Sequence, residues 1–365
     1  MKSRYKTIEE LVIRIDERNS NKEANILLGV SIDKCFIPSV ANTIGTDLTK
    51  YKLIRKNDFA VSLMQVSRDS RIPIARQTEY EVAMMSPAYP IFRVKNPYEI
   101  LPEYLEMWFK RDEFDREAAF IAVGGVRGSM PWNEFAQMQV YVPKIERQRE
   151  IVKSYKIISD RIALKRKIND NLQQQAFTIY KDTIGCSDKN AILSDIVDII
   201  MGTSPEGETL NSDGIGTVFY QGKTDFGFRF PTARQYTTAP KRYAQLGDIL
   251  MSVRAPVGSV NIATENCSIG RGLAAIRPKS SLHSYTYYTM IELDVELNKF
   301  NDEGTVFGSI SKDDLFALPI VCVNDDIKIA FEKKVSQIDA LIKINEVEIT
   351  KLEDMVSLLL SKLTN

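Results

Sequence analysis

The sequence predicts an α+β chain in which two similar mixed α/β domains are separated by two long antiparallel coiled-coil helices with pseudo-two-fold symmetry. Three observations lead there. A set of short anchors occurs twice in the same order, two stretches place apolar residues at alternating four- and three-residue steps, and β-prone runs punctuated by Gly, Pro and Asn fill the space between. A chain of 365 residues is long enough for two domains that each bury a core. The expected boundaries are a first domain over 1–143, a central helix over 144–183, a second domain over 184–322 and a C-terminal helix over 323–365.

The anchors carry the duplication. Asn57-Asp58-Phe59-Ala60 answers to Gly247-Asp248-Ile249-Leu250, and each is followed by a β-prone run. Gly124-Gly125-Val126-Arg127-Gly128-Ser129-Met130 answers to Glu303-Gly304-Thr305-Val306-Phe307-Gly308-Ser309-Ile310, and Tyr141-Val142-Pro143 to Ala317-Leu318-Pro319. Within the domains, strand signals such as Val61-Ser62-Leu63-Met64 and Ile249-Leu250-Met251-Ser252-Val253 precede helical stretches such as Pro102-Glu103-Tyr104-Leu105-Glu106-Met107-Trp108-Phe109. This reads as a loop-rich domain, and loops on a rigid scaffold are where recognition residues sit.

Each half then closes on a helix. Ile151, Tyr155, Ile158, Ile162, Lys165, Asn169, Leu172, Ala176 and Ile179 form one seam, and Phe331, Val335, Ile338, Ile342, Asn345, Ile349, Leu352, Val356, Leu359 and Leu363 the other. Asn169 and Asn345 hold equivalent places, and a polar residue in such a seam fixes register at some cost in stability. Paired antiparallel over about thirty residues, the helices would make a rod of roughly 45 Å at about 1.5 Å rise per residue. That is of the order of one DNA turn, about 34–36 Å. Packing of each helix on its own domain, or a homodimer seam, stays open as an alternative.

Composition narrows the function classes. No run approaches the roughly 18 apolar residues of a membrane span, and the first residues lack the apolar core of a signal peptide, so a cytoplasmic protein without a membrane partner is expected. Cys35, Cys186, Cys267 and Cys322 form no Cys-x-x-Cys pair and His283 is the sole histidine, which disfavours metal and most acid-base schemes; the cysteines are expected reduced, in or near cores. No phosphate-binding loop is present, and Asn96-Pro97-Tyr98 lacks the second proline of an amino-methyltransferase motif and reads as a turn. Net charge is zero, yet residues 218–281 carry nine basic against three acidic side chains, a patch suited to phosphate.

One group of motifs resembles a known family. Gly202-Thr203-Ser204-Pro205, Phe219-Tyr220-Gln221-Gly222-Lys223-Thr224-Asp225-Phe226, Leu246-Gly247-Asp248-Ile249-Leu250-Met251-Ser252-Val253-Arg254-Ala255-Pro256-Val257-Gly258 and Ile269-Gly270-Arg271-Gly272-Leu273 look like a target-recognition domain of the specificity subunits of type I restriction-modification enzymes. The first half matches more loosely. Leu27-Leu28-Gly29-Val30-Ser31 and Lys56-Asn57-Asp58-Phe59-Ala60 sit in place, but Gln65-Val66-Ser67-Arg68-Asp69-Ser70-Arg71 replaces the Val-Arg-Ala-Pro motif.

The resemblance implies a non-catalytic subunit that reads a bipartite asymmetric site in double-stranded DNA, one half-site per domain. It implies that the helices dock two modification (methyltransferase) subunits and that the full assembly adds two restriction (translocase and nuclease) subunits. No cofactor belongs to this chain on that reading; S-adenosylmethionine and ATP with magnesium belong to the partners. Arginine grips guanine, glutamine grips adenine and lysine meets phosphate. The candidate contacts are therefore Tyr220, Gln221, Lys223, Arg229, Arg254 and Arg271 in the second domain, and Lys34, Arg68, Arg71 and Arg76 in the first. Two rivals are a self-contained methyltransferase or nuclease and a coiled-coil interaction scaffold that binds no DNA.

Overall fold

The structure, a computed structural model, describes residues 4–41, 45–64, 66–124, 128–302 and 308–364. Anchor residues 125–127 and 303–307, and Gln65 of the divergent motif, lie outside the described residues. The chain divides into two compact units, one of residues 1–165 and 347–365, the other of residues 166–346.

In the first unit, Val12–Ile15, Ile91–Val94, Phe59–Val61 and Ile74–Arg76 form a four-stranded sheet in that spatial order. A second sheet runs Phe36–Pro38, Leu27–Val30, Val82–Met85, Lys52–Arg55, with its middle pair parallel. Tyr5–Thr7 pairs with Gln139–Tyr141. The second unit repeats this plan. Val197–Met201, Leu273–Pro278, Ile249–Ser252 and Val260–Ile262 make its four-stranded sheet. Its other sheet adds one strand: Leu210–Asn211, Gln235–Thr237, Thr217–Tyr220, Cys267–Ile269, Tyr243–Ala244, again with a parallel middle pair. Ala191–Ile192 pairs with Pro319–Ile320.

The first anchor now has a physical cause. Asn57 and Gly247 both adopt left-handed backbone, φ 70° and 87°, the conformation that glycine and asparagine tolerate best. The aspartate that follows is buried in each unit and does the same work. Asp58 accepts the Arg55 N–H and two bonds from Arg93; Asp248 accepts the Gln245 N–H and two bonds from Arg277, at 2.9 and 2.7 Å. A forked arginine-carboxylate pair is among the stronger charge-assisted contacts, and here it ties the strand after the turn to its neighbour. Ser62, Leu63 and Met64, expected to extend the strand, leave the ladder: the strand ends at Val61, and the Ser62 N–H donates to the Pro73 carbonyl.

The two cores differ in chemistry. In the first unit Pro102 opens the helix Pro102–Phe109, which buries Tyr104, Leu105, Trp108 and Phe109. Phe109 meets Phe59 edge-on and Phe114 and Phe135 at tilted angles; fully burying each such ring is worth about 2–3 kcal/mol. The second unit uses tyrosines whose hydroxyls are bonded: Tyr180 to Thr289 Oγ1, Tyr285 to the Val321 carbonyl, Tyr288 to Asp339.

The long helices are Ile145–Ile184 and Asp325–Ser361. In the first unit Arg161 and Lys165 of one bond Glu348 of the other, and Ile151, Leu360 and Leu363 join the domain core. In the second unit Asn345 Nδ2 donates to Asn169 Oδ1 at 2.8 Å, both residues being buried, and Asn169 Nδ2 donates to Glu346. The pairing is antiparallel within each unit. Where each helix meets its domain, burial moves one residue along from the expected seam, to Tyr180 instead of Ile179 and to Leu360 instead of Leu359. A helix of 3.6 residues per turn drifts from a strict 3.5-residue repeat, and the domain rather than the partner helix covers the end. The cysteines are unbridged, but Cys35 and Cys186 are exposed, in a loop and past a helix end, instead of in cores.

Candidate nucleic-acid interface

The parallel pairing of Thr217–Tyr220 with Cys267–Ile269 brings the loops that leave both strands out at one edge of the sheet. Gly270 N–H donates to the Tyr220 carbonyl at 2.8 Å, Thr203 N–H to the Ile269 carbonyl at 3.0 Å, and Val253 N–H to the Gly272 carbonyl at 2.9 Å. Backbone bonds thus bring together all four motifs that carry the family resemblance. Glycines make this possible: a Cβ on Gly202 would stand 2.1 Å from the Gly270 carbonyl oxygen, and one on Gly272 would stand 2.5 Å from that of Gln221. Asp225 seals the first loop by accepting the Gln221 N–H at 2.8 Å.

On this frame Lys223, Arg254 and Arg271 are exposed, and among the described residues none of the three forms an ion pair. Solvated, uncompensated cations on rigid loops hold a field that attracts phosphate and keep donors free for base edges. Gln221 is half-buried, and the Ser204 hydroxyl lies 3.2 Å from its Oε1 and 3.3 Å from the Arg271 N–H. Arg234 and Arg242 are also exposed at the edge of this sheet. Neither was among the sequence candidates, although both lie in the basic run that pointed here.

Two second-domain candidates do not reach the surface. Tyr220 is 1% exposed, a core residue beneath the loops, and burial raises its phenol pKa. Arg229 is fully buried. It is paired with Asp339, bonded to Tyr288 Oη at 2.8 Å and Gln173 Oε1 at 3.2 Å, and stacked 4.3 Å from the Tyr287 ring centre. Its partners lie on both long helices, so it fastens the 227–231 loop to them.

In the first unit Lys34 and Arg76 are likewise structural. Lys34, in left-handed backbone, is buried, 2.8 Å from Asp115 Oδ1 and bonded to the Phe109 carbonyl; burial lowers its ammonium pKa. Asp115 also accepts the Ile72 N–H, so the pair ties the 31–35 loop to the segment after Arg71. Arg76 bonds Glu106 at 2.8 Å and Asn57 at 2.7 Å with its side chain 11% exposed. Arg68 and Arg71 are exposed, Arg68 against Asp69 and Arg71 3.9 Å from Asp33, so this unit's loops are less basic than those of the second. Asn96-Pro97-Tyr98 is a turn closed by the Tyr98 N–H onto Asn96 Oδ1. Among the described residues no cluster of His, Cys, Asp and Glu could hold a metal, and no helix is long and apolar enough to cross a membrane.

A family model described as the type I restriction modification DNA specificity domain matches residues 189–354, the part of the chain that carries the clustered motifs. A chain of Methanocaldococcus jannaschii named as a type I restriction enzyme MjaX specificity subunit is 30% identical over 284 residues, 70% of this chain. The chain is similar to the specificity subunits of type I restriction enzymes. The alignment spans 64% of that relative's own length. The crystal structure of a type I restriction-modification S subunit from M. genitalium has a similar fold, with a TM-score of 0.57 at 13% identity over 98% of this chain and 95% of that one. The HsdS subunit of Thermoanaerobacter tengcongensis covers 98% of this chain and 95% of its own at 24% identity, with a TM-score of 0.39.

Proposed function

We propose that this chain is the non-catalytic DNA-recognition subunit of a type I restriction-modification complex, reading a bipartite asymmetric site with one half-site per domain. The observation that carries the reading is the loop cluster of the second unit, where the family motifs converge and leave Lys223, Arg254 and Arg271 exposed and unpaired among the described residues. The repeated strand order supports a second reader of the same plan with different loop chemistry. Arg254, Arg271 and Lys223 with Gln221 are the proposed contacts in the second domain, and Arg68 and Arg71 those in the first. Tyr220, Arg229, Lys34 and Arg76 are assigned to the scaffold instead.

The helices would dock two modification subunits, and the larger assembly would add two restriction subunits. Ile157, Leu164, Ile344, Met355 and Leu358, each more than half exposed on these helices, offer apolar surface for such docking. S-adenosylmethionine and ATP with magnesium would act in those partners. The test is equilibrium binding of duplex DNA by the complex across a salt series. A reader that neutralises several phosphates loses affinity steeply, with a slope of about −0.9 per phosphate in log-log form. A flat response, or methyl transfer by the purified chain without partners, overturns the proposal.

A further inference from the structure

Gln221 is seated in a way that fixes what it can read. Its Oε1 lies against Gly270, where an added Cβ would come within 2.5 Å of it, and within reach of the Ser204 hydroxyl at 3.2 Å. The Ser204 oxygen already accepts the Arg271 N–H at 3.3 Å, which leaves the hydroxyl proton to donate, and the amide oxygen of Gln221 is the acceptor beside it. With its oxygen held by Ser204, the half-buried amide keeps its N–H2 free of any hydrogen bond among the described residues. An unheld glutamine offers a donor and an acceptor together, the pair that matches adenine; this one has its acceptor engaged by Ser204 and its donors free.

We infer that Ser204 is a positioning residue that locks the Gln221 amide with its N–H2 toward the DNA, so that the second domain reads a hydrogen-bond acceptor at that base. In the major groove those acceptors are guanine O6 and N7, adenine N7 and thymine O4; cytosine presents only its N4 amino group and offers nothing to a second donor. The inference rests on the proposed DNA-reading function and adds to it the chemistry of one base position. Gly270 belongs to the same device, because any side chain there displaces the amide. Arg271 takes part through its backbone N–H, which keeps the Ser204 oxygen occupied as an acceptor.

The test replaces the chromosomal gene with Ser204→Ala or Gln221→Glu and maps N6-methyladenine motifs genome-wide in the producing cell. Gln221→Glu keeps the shape and the Ser204 bond but turns the free group from donor to acceptor. It is expected to switch one position of one half-site from guanine, thymine or adenine to cytosine, the base that presents only a donor in the major groove. Ser204→Ala frees the amide to rotate and is expected to relax the same position, lowering discrimination there by roughly tenfold, within the range of a single mismatched pair. The other half-site stays as it was in both cases. If both variants keep the wild-type motif, or the wild-type base at that position is cytosine, the inference is overturned while DNA reading stands. A wild-type map with no motif dependent on this gene overturns the function and the inference together. Should Ser204→Ala abolish methylation, the Gln221→Glu motif alone decides.

Discussion

Arg229 and Arg254 look alike in sequence, both arginines in one basic run, and the structure gives them opposite surroundings, one buried and one exposed, whose consequences a paired substitution separates. Arg229→Ala removes a fully buried guanidinium with an ionic partner, two polar bonds and an aromatic stack. Removing one member of a buried ion pair costs about 3–5 kcal/mol. The Asp339 side chain left behind is 19% exposed, so water reaches it and the lower end, about 3 kcal/mol, applies. For a unit of this size each kcal/mol moves the midpoint by about 2–4 °C, so the transition of the second unit should fall by about 6–12 °C in calorimetry. Arg229→Lys should recover only part of this, since an ammonium neither forks nor stacks as a guanidinium does. Arg254→Ala should leave that transition in place, weaken specific binding by about 1–3 kcal/mol if it reads a base, or lower the salt slope by about one if it meets a phosphate. An Arg229→Ala chain that melts like wild type yet loses DNA, or an Arg254→Ala chain that unfolds early with intact binding, refutes the division drawn between them.

Other consequences follow from burial and pairing. Asn169→Leu alone should destabilise by about 1–3 kcal/mol because it removes the acceptor of a buried hydrogen bond from Asn345 and leaves that polar amide against an apolar side chain, whereas Asn169→Leu with Asn345→Leu should cost less; denaturant titration of both tells them apart. Iodoacetamide at pH 8 should label Cys35 and Cys186 in the native chain and spare Cys267, whose thiol burial pushes up to about 12, until the chain unfolds; rapid native labelling of Cys267 contradicts the packing. Lys34→Met should lower stability by about 2–4 kcal/mol, since Asp115 is left buried, with its remaining bond to the Ile72 N–H; an unchanged midpoint removes Lys34 from the scaffold.

The duplication and the helical pairing were legible because they rest on periodicity and on local backbone demands. Asn57 and Gly247 announce a left-handed turn, the aspartate after each is fixed by that turn, and the apolar seams follow from helix geometry. What the sequence hid was exposure. Charge alone nominated Lys34, Arg76 and Arg229 for the surface, but each is neutralised by a residue brought near only in the fold: Arg229 by Asp339, 110 positions away, and Arg76 by Glu106, 30 away. Tyr220 was misplaced for a related reason, because alternation along Thr217–Tyr220 does not reveal that both of its faces are covered. Lys223, Arg254 and Arg271 are exposed, on loops where glycines adjoin two of them and a proline lies near the third, the marks of loops that must approach one another closely. The loops of the first unit lack those marks, and their acidic neighbours Asp33 and Asp69 leave fewer free cations to recognise.

The measurement that bears most directly on the whole account is a genome-wide map of N6-methyladenine in the producing cell, before and after deletion of this one gene. The account predicts the loss of a single asymmetric motif of two specific parts around an unspecified spacer, and its return on complementation. An unchanged methylation map contradicts it.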